Sequence, residues 1–205
     1  MTVPTATADG TTSAAHTTAP GADISDNELI AAIATGDRMA FALLMRRHLP
    51  AMATLARRIT LNASDGEEVT QEAFLRVWTY AAKWNPDGDA QFRTWLYRIT
   101  ANLAIDRCRK PKMAPIEAAG DPMDPADDPE RSLGRDEEVH LVRDMLRQLP
   151  PRQRAAVTLC YLEDKSNAEA AVILDISTGA VEALLVRARQ GLRTVIKLLG
   201  RENLS

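Results

Sequence analysis

Residues 166–192, SNAEAAVILDISTGAVEALLVRARQGL, constrain the fold most, because one short run carries the start, the stop and the restart of a helix. Ser166 and Glu169 form a capping box, in which the hydroxyl takes a free N–H of the first turn and the carboxylate reaches back to the cap. Ala170, Ala171 and Leu174 keep one side small and apolar. Asp175 falls at the tight turn, and Ser177 or Thr178 can cap a second helix carrying Val181, Leu184, Leu185 and Ala188. Two short helices meeting at a sharp angle make either a helix-turn-helix or an ordinary hairpin of a helical bundle, and spacing alone gives the two equal weight.

The remaining chain is helical in pattern too. At 205 residues with 45% hydrophobic and 26% charged composition, it has room for one or two modest cores. Aromatic residues make up only 4%, and the apolar positions recur at helical rather than alternating spacing. The fold class expected is all-α, with two small helical domains joined by a flexible acidic linker and the helix-turn-helix in the second. The formal net charge of -3 argues against a protein that coats nucleic acid through bulk positive charge, so any such contact must be local. Cys108 and Cys160 lie far apart, outside any metal-ligand spacing, so neither a metal nor another cofactor is expected. Cys160 sits among apolar residues as a small core side chain, whereas Cys108 lies in a basic run that favours its thiolate. The longest apolar runs are too short for a bilayer and the first residues lack signal-peptide character, which predicts a cytoplasmic protein.

Residues 1–22 are rich in Thr and Ala and read as a disordered tail. Order is expected from Ser25, whose side chain and Glu28 make a second capping box ahead of Leu29, Ile30 and Ile33. A helix from about Met39 carries Phe41, Leu44, Met45, Met52 and Leu55, and residues 62–66 break it. Ser64 and Glu67 suggest a further capping box, opening a helix from Asp65 that buries Thr70, Phe74, Val77 and Ala81. On its other side Glu68, Gln71, Glu72 and Leu75 share one face, either a solvated surface or a docking row. Turn chemistry at residues 84–89 leads into a helix from Phe92 to Arg109, with Trp95, Leu96, Ile99 and Leu103 inward and Arg98, Asn102, Ile105 and Arg109 along a neighbouring stripe. Residues 113–135 read as the acidic linker, with Asp121, Asp124, Asp127, Asp128 and Glu130 crowded together. Residues 136–200 form the second domain, with Val142, Met145, Leu146 and Leu149 as one apolar stripe and Pro151 opening the helix before the helix-turn-helix.

Four stretches now carry a resemblance. GEEVTQEAFLRVW (66–78), FRTWLYRITANLAIDRCRK (92–110), LPPRQRAAVTL (149–159) and SNAEAAVILDISTGAVEALLVRAR (166–189) together resemble the extracytoplasmic-function sigma factors. These are the two-domain class of bacterial transcription initiation subunits. The resemblance implies that residues 23–112 form the region 2 domain, in which Glu68, Gln71, Glu72, Leu75 and Trp78 face the helical clamp of the largest subunit of core RNA polymerase. It implies that Trp84, Asn85 and Asp87, in the loop before the next helix, capture an unstacked base of the minus-ten element. Asn102 contacts base or backbone there, while Arg93, Arg98, Arg107, Arg109 and Lys110 neutralise phosphates. The second domain reads the minus-thirty-five element through Ser177, Thr178, Glu182, Arg187 and Arg189. Strand opening is then driven by binding energy, without nucleotide hydrolysis, a small-molecule substrate or a catalytic residue. Further implied partners are promoter DNA and an anti-sigma factor that covers the polymerase-binding surface, often anchored in the inner membrane. The linker either threads the polymerase channel or acts as a solubilising tether.

The chain departs from the family pattern at three places. Residues 180–185 lack the early basic residues of the recognition helix, which thins the phosphate anchoring. Asp175 stands where glycine is usual, although Asp tolerates a left-handed conformation better than most residues. Asp164 and Lys165 replace a glycine and an apolar residue. The competing reading of the same residues is a duplex-binding regulator whose residues 25–110 serve as a sensing or dimerisation module.

Overall fold

The computed structural model describes residues 24–85, 91–109 and 141–202, with side chains through residue 193. The expected tail, the acidic linker, Asp87 and Lys110 lie outside the described residues. Within them every regular element is helical and no strand occurs, as the periodicity predicts. Also within them, no helix is long and apolar enough to cross a membrane.

Helix α1 (Asp26–Ala34) begins at the Ser25/Glu28 capping box, with both reciprocal hydrogen bonds formed. Helix α2 (Arg38–Thr60) is capped by Asp37, whose carboxylate accepts from the backbone N–H of Met39 at 2.8 Å and of Ala40 at 3.1 Å. It ends at Leu61, which takes a left-handed conformation at φ 57°. Helix α3 (Ala63–Tyr80) starts earlier than expected. The cap is Asn62, whose side chain accepts from the Asp65 N–H at 2.8 Å. Asn caps as well as Ser does, and with Leu61 already turning the chain left-handed, Ser64 falls inside the first turn. The break after α2 therefore shrinks to two residues, and Gly66 is buried within α3 instead of lying in a loop.

Helix α4 (Phe92–Arg109) is reached through a 3-10 turn at Ala81–Lys83. The second region holds α5 (residues 141–147), α6 (Pro151–Val157) passing into a π-helical turn at Thr158–Leu162, α7 (Asn167–Leu174) and α8 (Thr178–Glu202). The helix-turn-helix has the expected parts. The Ser166/Glu169 box caps α7, Asp175 turns left-handed at φ 57°, and Ser177 accepts from the Ala180 N–H to start α8. Val181, Leu185 and Ala188 are buried beneath it.

In the first region α2, α3 and α4 pack on one another over Leu44, Met52, Leu55, Val77 and Leu96, all fully buried. The two regions are not separate bodies. A single apolar cluster runs from α1 through α4 into Ala155, Leu159, Ala170, Ala171 and Leu174. This corrects the inward face expected for α4. Tyr97, Ala101, Ala104 and Ile105 are buried, whereas Trp95, Ile99 and Leu103 are only partly so. The side of α4 that its own region leaves open is covered by α7 and α6.

Candidate polymerase and promoter interface

The α3 row stands on the surface as expected. Glu68, Gln71 and Leu75 are exposed and Glu72 is half-buried, and Leu75 at 57% exposure is a large apolar side chain held out to solvent. Two cations brace the carboxylates. Arg76 pairs with Glu72 at 2.9 Å one turn on, and Arg107 of α4 reaches Glu68 at 2.9 Å. Arg107 also holds Asp65 through Nε at 2.9 Å and Nη2 at 2.8 Å. That hydrogen bonding raises its already high pKa. Arg107, which the resemblance implies as a phosphate contact, thus forms a strut between α4 and the α3 row. Trp78 turns inward from the row and rests edge-on against Phe41, with ring centroids 5.2 Å apart.

At the C-terminal end of α3 the surface changes character. Trp84, Phe92 and Trp95 form a cluster with centroids 5.3 to 5.9 Å apart, Trp84 edge-on to Phe92 and both tilted against Trp95. The Trp84 indole N–H donates to Asn27 of α1 at 3.3 Å. Behind the cluster, His48 packs edge-on to Phe92 and its Nε2 lies 2.7 Å from the Asp26 carboxylate, which Arg47 holds at 2.6 Å. Trp84 is thereby fixed from three elements. In front of it Arg76, Tyr80, Lys83, Trp95 and Ile99 complete an open cavity of about 330 Å³. Lys83 lies over the Tyr80 ring, 5.4 Å from its centroid. Flat aromatic walls with two cations at the rim suit a base and its phosphate.

Of the expected base-capturing residues, Trp84 lines this cavity and Asn85 is exposed beside it. Tyr80, Trp95 and Arg76 were not singled out from sequence. The available signal was density, since six of the nine aromatic residues fall between Trp78 and Tyr97. Along α4, Arg93, Arg98 and Arg109 are exposed and Asn102 is half-buried. On the helix-turn-helix, Ser177, Thr178, Glu182, Arg187 and Arg189 are all exposed on α8 or its cap, with Thr178, Glu182 and Arg189 at positions that share one face of α8 and Arg187 on the opposite side. Burial among α6, α7 and α8 pushes the Cys160 thiol pKa up, in keeping with a packing role.

Residues 44–112 match Sigma-70 region 2 and residues 140–192 match Sigma-70, region 4. The chain is 34% identical over 175 residues to the ECF RNA polymerase sigma factor SigM of Mycobacterium tuberculosis, covering 85% of this chain and 86% of SigM. The chain belongs to the extracytoplasmic-function sigma factors. This sigma factor is also similar to the solved structure of CnrH in complex with the cytosolic domain of CnrY. The TM-score is 0.61 at 28% identity, over 84% of this chain and 97% of CnrH. The sigma factor RpoE in complex with the anti-sigma factor NepR from Bartonella quintana shares the fold, with a TM-score of 0.57 at 21% identity over 77% and 96%. The protein is accordingly an RNA polymerase initiation subunit that recognises promoters, and not an enzyme.

Proposed function

We propose that the Glu68, Gln71, Glu72 and Leu75 row of α3 docks this sigma factor onto the helical clamp of core RNA polymerase, and that the aromatic cavity beside it holds an unstacked base of the minus-ten element. The observation that carries the reading is the adjacency of the two surfaces on one helix pair. Carboxylates held in place by Arg76 and Arg107 give register against a basic partner helix, and the outward Leu75 supplies an apolar anchor. The cavity begins one turn further on. A base stacked there contributes about 1–3 kcal/mol, comparable to the cost of unstacking it, so opening needs no hydrolysis.

Arg93, Arg98, Arg109 and Lys110 grip the phosphates of the opened strand, with Asn102 as a polar contact among them. Asn85 and Asp87 join Trp84 as the residues that recognise the captured base. Trp78 supports the row through Phe41. Ser177, Thr178, Arg187 and Arg189 anchor α8 on the minus-thirty-five duplex, where Glu182 accepts from a cytosine amino group. Residues 23–112 and 136–200 serve as the two readers, with 113–135 as the connection. An anti-sigma factor, membrane-anchored or soluble, is the regulatory partner, as the complexes of the similar structures suggest, and the site of action is the cytoplasm.

Charge reversal tests the docking. Glu68→Arg with Glu72→Arg is expected to weaken core association at least about tenfold, equivalent to about 1.4 kcal/mol, while circular dichroism stays unchanged. Unaltered association of the folded variant overturns the assignment. Trp95→Ala is expected to leave core binding intact and to lower open-complex formation, read by permanganate footprinting.

A further inference from the structure

Helix α1 makes a side-chain hydrogen bond that its own stability does not call for. Its N-terminus is already closed by the Ser25 and Glu28 box, and asparagine is a poor helix former. Yet Asn27, exposed in the first turn, accepts the Trp84 indole N–H on its Oδ1 at 3.3 Å. The helix packs directly on the 3-10 turn that precedes Trp84. It also lies outside residues 44–112, the stretch that matches Sigma-70 region 2.

The residues around Asn27 are tied to α2. The Asp26 carboxylate lies 2.7 Å from His48 Nε2 and accepts from Arg47 Nη1 at 2.6 Å, while Arg47 Nη2 donates to the Ile24 carbonyl at 2.9 Å. Leu29, Ile30 and Ile33 are buried on the following turns. Asn27 is therefore an acceptor fixed in place on the fold. His48 is itself buried and packs edge-on to Phe92, which in turn meets Trp84 at 89° between ring planes. One turn of α1 thus sets Trp84 twice, at the indole nitrogen through Asn27 and at the ring through Asp26, His48 and Phe92.

An indole whose N–H is engaged in this way offers a base its face and no donor. Stacking on a face tolerates every base, so Trp84 supplies affinity and leaves discrimination to other groups of the cavity. An indole fixed beforehand also has no rotamer freedom left to lose when the base arrives, which favours capture by about threefold or more.

We infer that Asn27 is a positioning residue for promoter opening, presetting Trp84 as a stacking wall from a helix that carries none of the residues assigned above to DNA or polymerase. Asp26 and His48 support the same ring through Phe92. The inference rests on the assignment of the aromatic cavity to an unstacked base.

The test uses holoenzyme assembled with core polymerase on a linear promoter fragment that the native chain opens, with 2-aminopurine placed at each non-template position of the minus-ten element in turn. Asn27→Leu keeps the size of the side chain and removes the acceptor. Core affinity and initial promoter binding are expected to stay unchanged, while the opening rate constant, read from 2-aminopurine fluorescence, falls at least about threefold. Asn27→Asp still accepts and should open at the native rate. Trp84→Phe keeps a stacking ring without the N–H, so adding Asn27→Leu to it should cause no further slowing. Native opening by Asn27→Leu, or its full additional loss in the Trp84→Phe background, overturns the positioning role. Trp84→Ala tests the reading beneath it: opening at the native rate in that variant overturns the cavity assignment and the inference with it. Slow opening there, beside a native rate for Asn27→Leu, overturns the positioning alone.

Discussion

Arg154 shows how one side chain can be both costly and necessary. A guanidinium out of water is tolerable only when its hydrogen bonds are made. Here burial pulls its pKa down, and Nε finds no partner. The two Nη groups compensate by binding carbonyls from both regions, those of Ile59 and Leu149. Replacing it with methionine keeps the volume but strips a donor from Ile59 and from Leu149. Arg154→Met is expected to lower stability by about 2 kcal/mol, read as a shift in urea midpoint. A second residue-scale prediction concerns pH. Glu169 is held below the usual carboxylate value of 4.5 by hydrogen bonds from the Ser166 backbone N–H and hydroxyl, and Glu28 is held down in the same way by Ser25. A depressed folded value means stabilisation that is fully present above the unfolded value and lost as pH falls through the folded one. Glu169→Gln keeps an acceptor at the cap but no charge. The native chain should be the more stable at neutral pH, with the difference disappearing as the pH drops below the folded value. A difference that persists in acid, measured by urea denaturation across pH, contradicts this.

At the scale of elements, α2 and α3 approach so closely that Gly66 is required. A Cβ there would sit 2.7 Å from the Arg57 Cγ and 3.2 Å from its backbone. The Arg57 side chain can swing aside, but the backbone cannot without parting the helices. Alanine would gain about 1 kcal/mol of helix propensity and lose about 1–3 kcal/mol to overpacking. Gly66→Ala is therefore expected to destabilise by about 1 kcal/mol net, checked by denaturation, and a stabilised variant would mean the helices separate freely. Elements were largely legible in the sequence where the signal is local. The Ser25 and Ser166 capping boxes, Pro151 at a helix start and the Asp175 turn each depend on residues within four positions. The start of α3 is ambiguous in the sequence because Asn62 and Ser64 offer equivalent cap chemistry, and only the left-handed Leu61 decides between them. The inward face of α4 is not legible from its own periodicity because part of its burial comes from α7, about seventy residues away in sequence. Periodicity records that a helix has an apolar stripe, but not which second partner covers the other side. The aromatic cavity was half-visible for the same reason, since Trp84 is in the loop while Tyr80 and Trp95 face it from two helices.

For the whole molecule, a net charge of -3 means that long-range attraction to DNA is weak and that cations act only where the fold concentrates them. Arg93, Arg98 and Arg109 lie along one helix, whereas Arg107 spends its charge on Asp65 and Glu68. Each phosphate neutralised on a single strand contributes about 0.7 to the slope of log affinity against log salt. In the assembled holoenzyme, Arg98→Ala and Arg109→Ala should each reduce that slope for promoter binding by about 0.7. Arg107→Ala should instead weaken core association through Glu68 and leave the slope nearly unchanged. Glu182→Gln serves as the opposite control: it bears on base preference at the minus-thirty-five element and removes a negative charge without adding a phosphate contact. Salt titrations of the four holoenzymes on one promoter therefore separate grip, docking and readout. A slope that falls for Arg107→Ala as much as for Arg98→Ala would make Arg107 a phosphate contact, as the resemblance implies, and remove its role as a strut of the docking row.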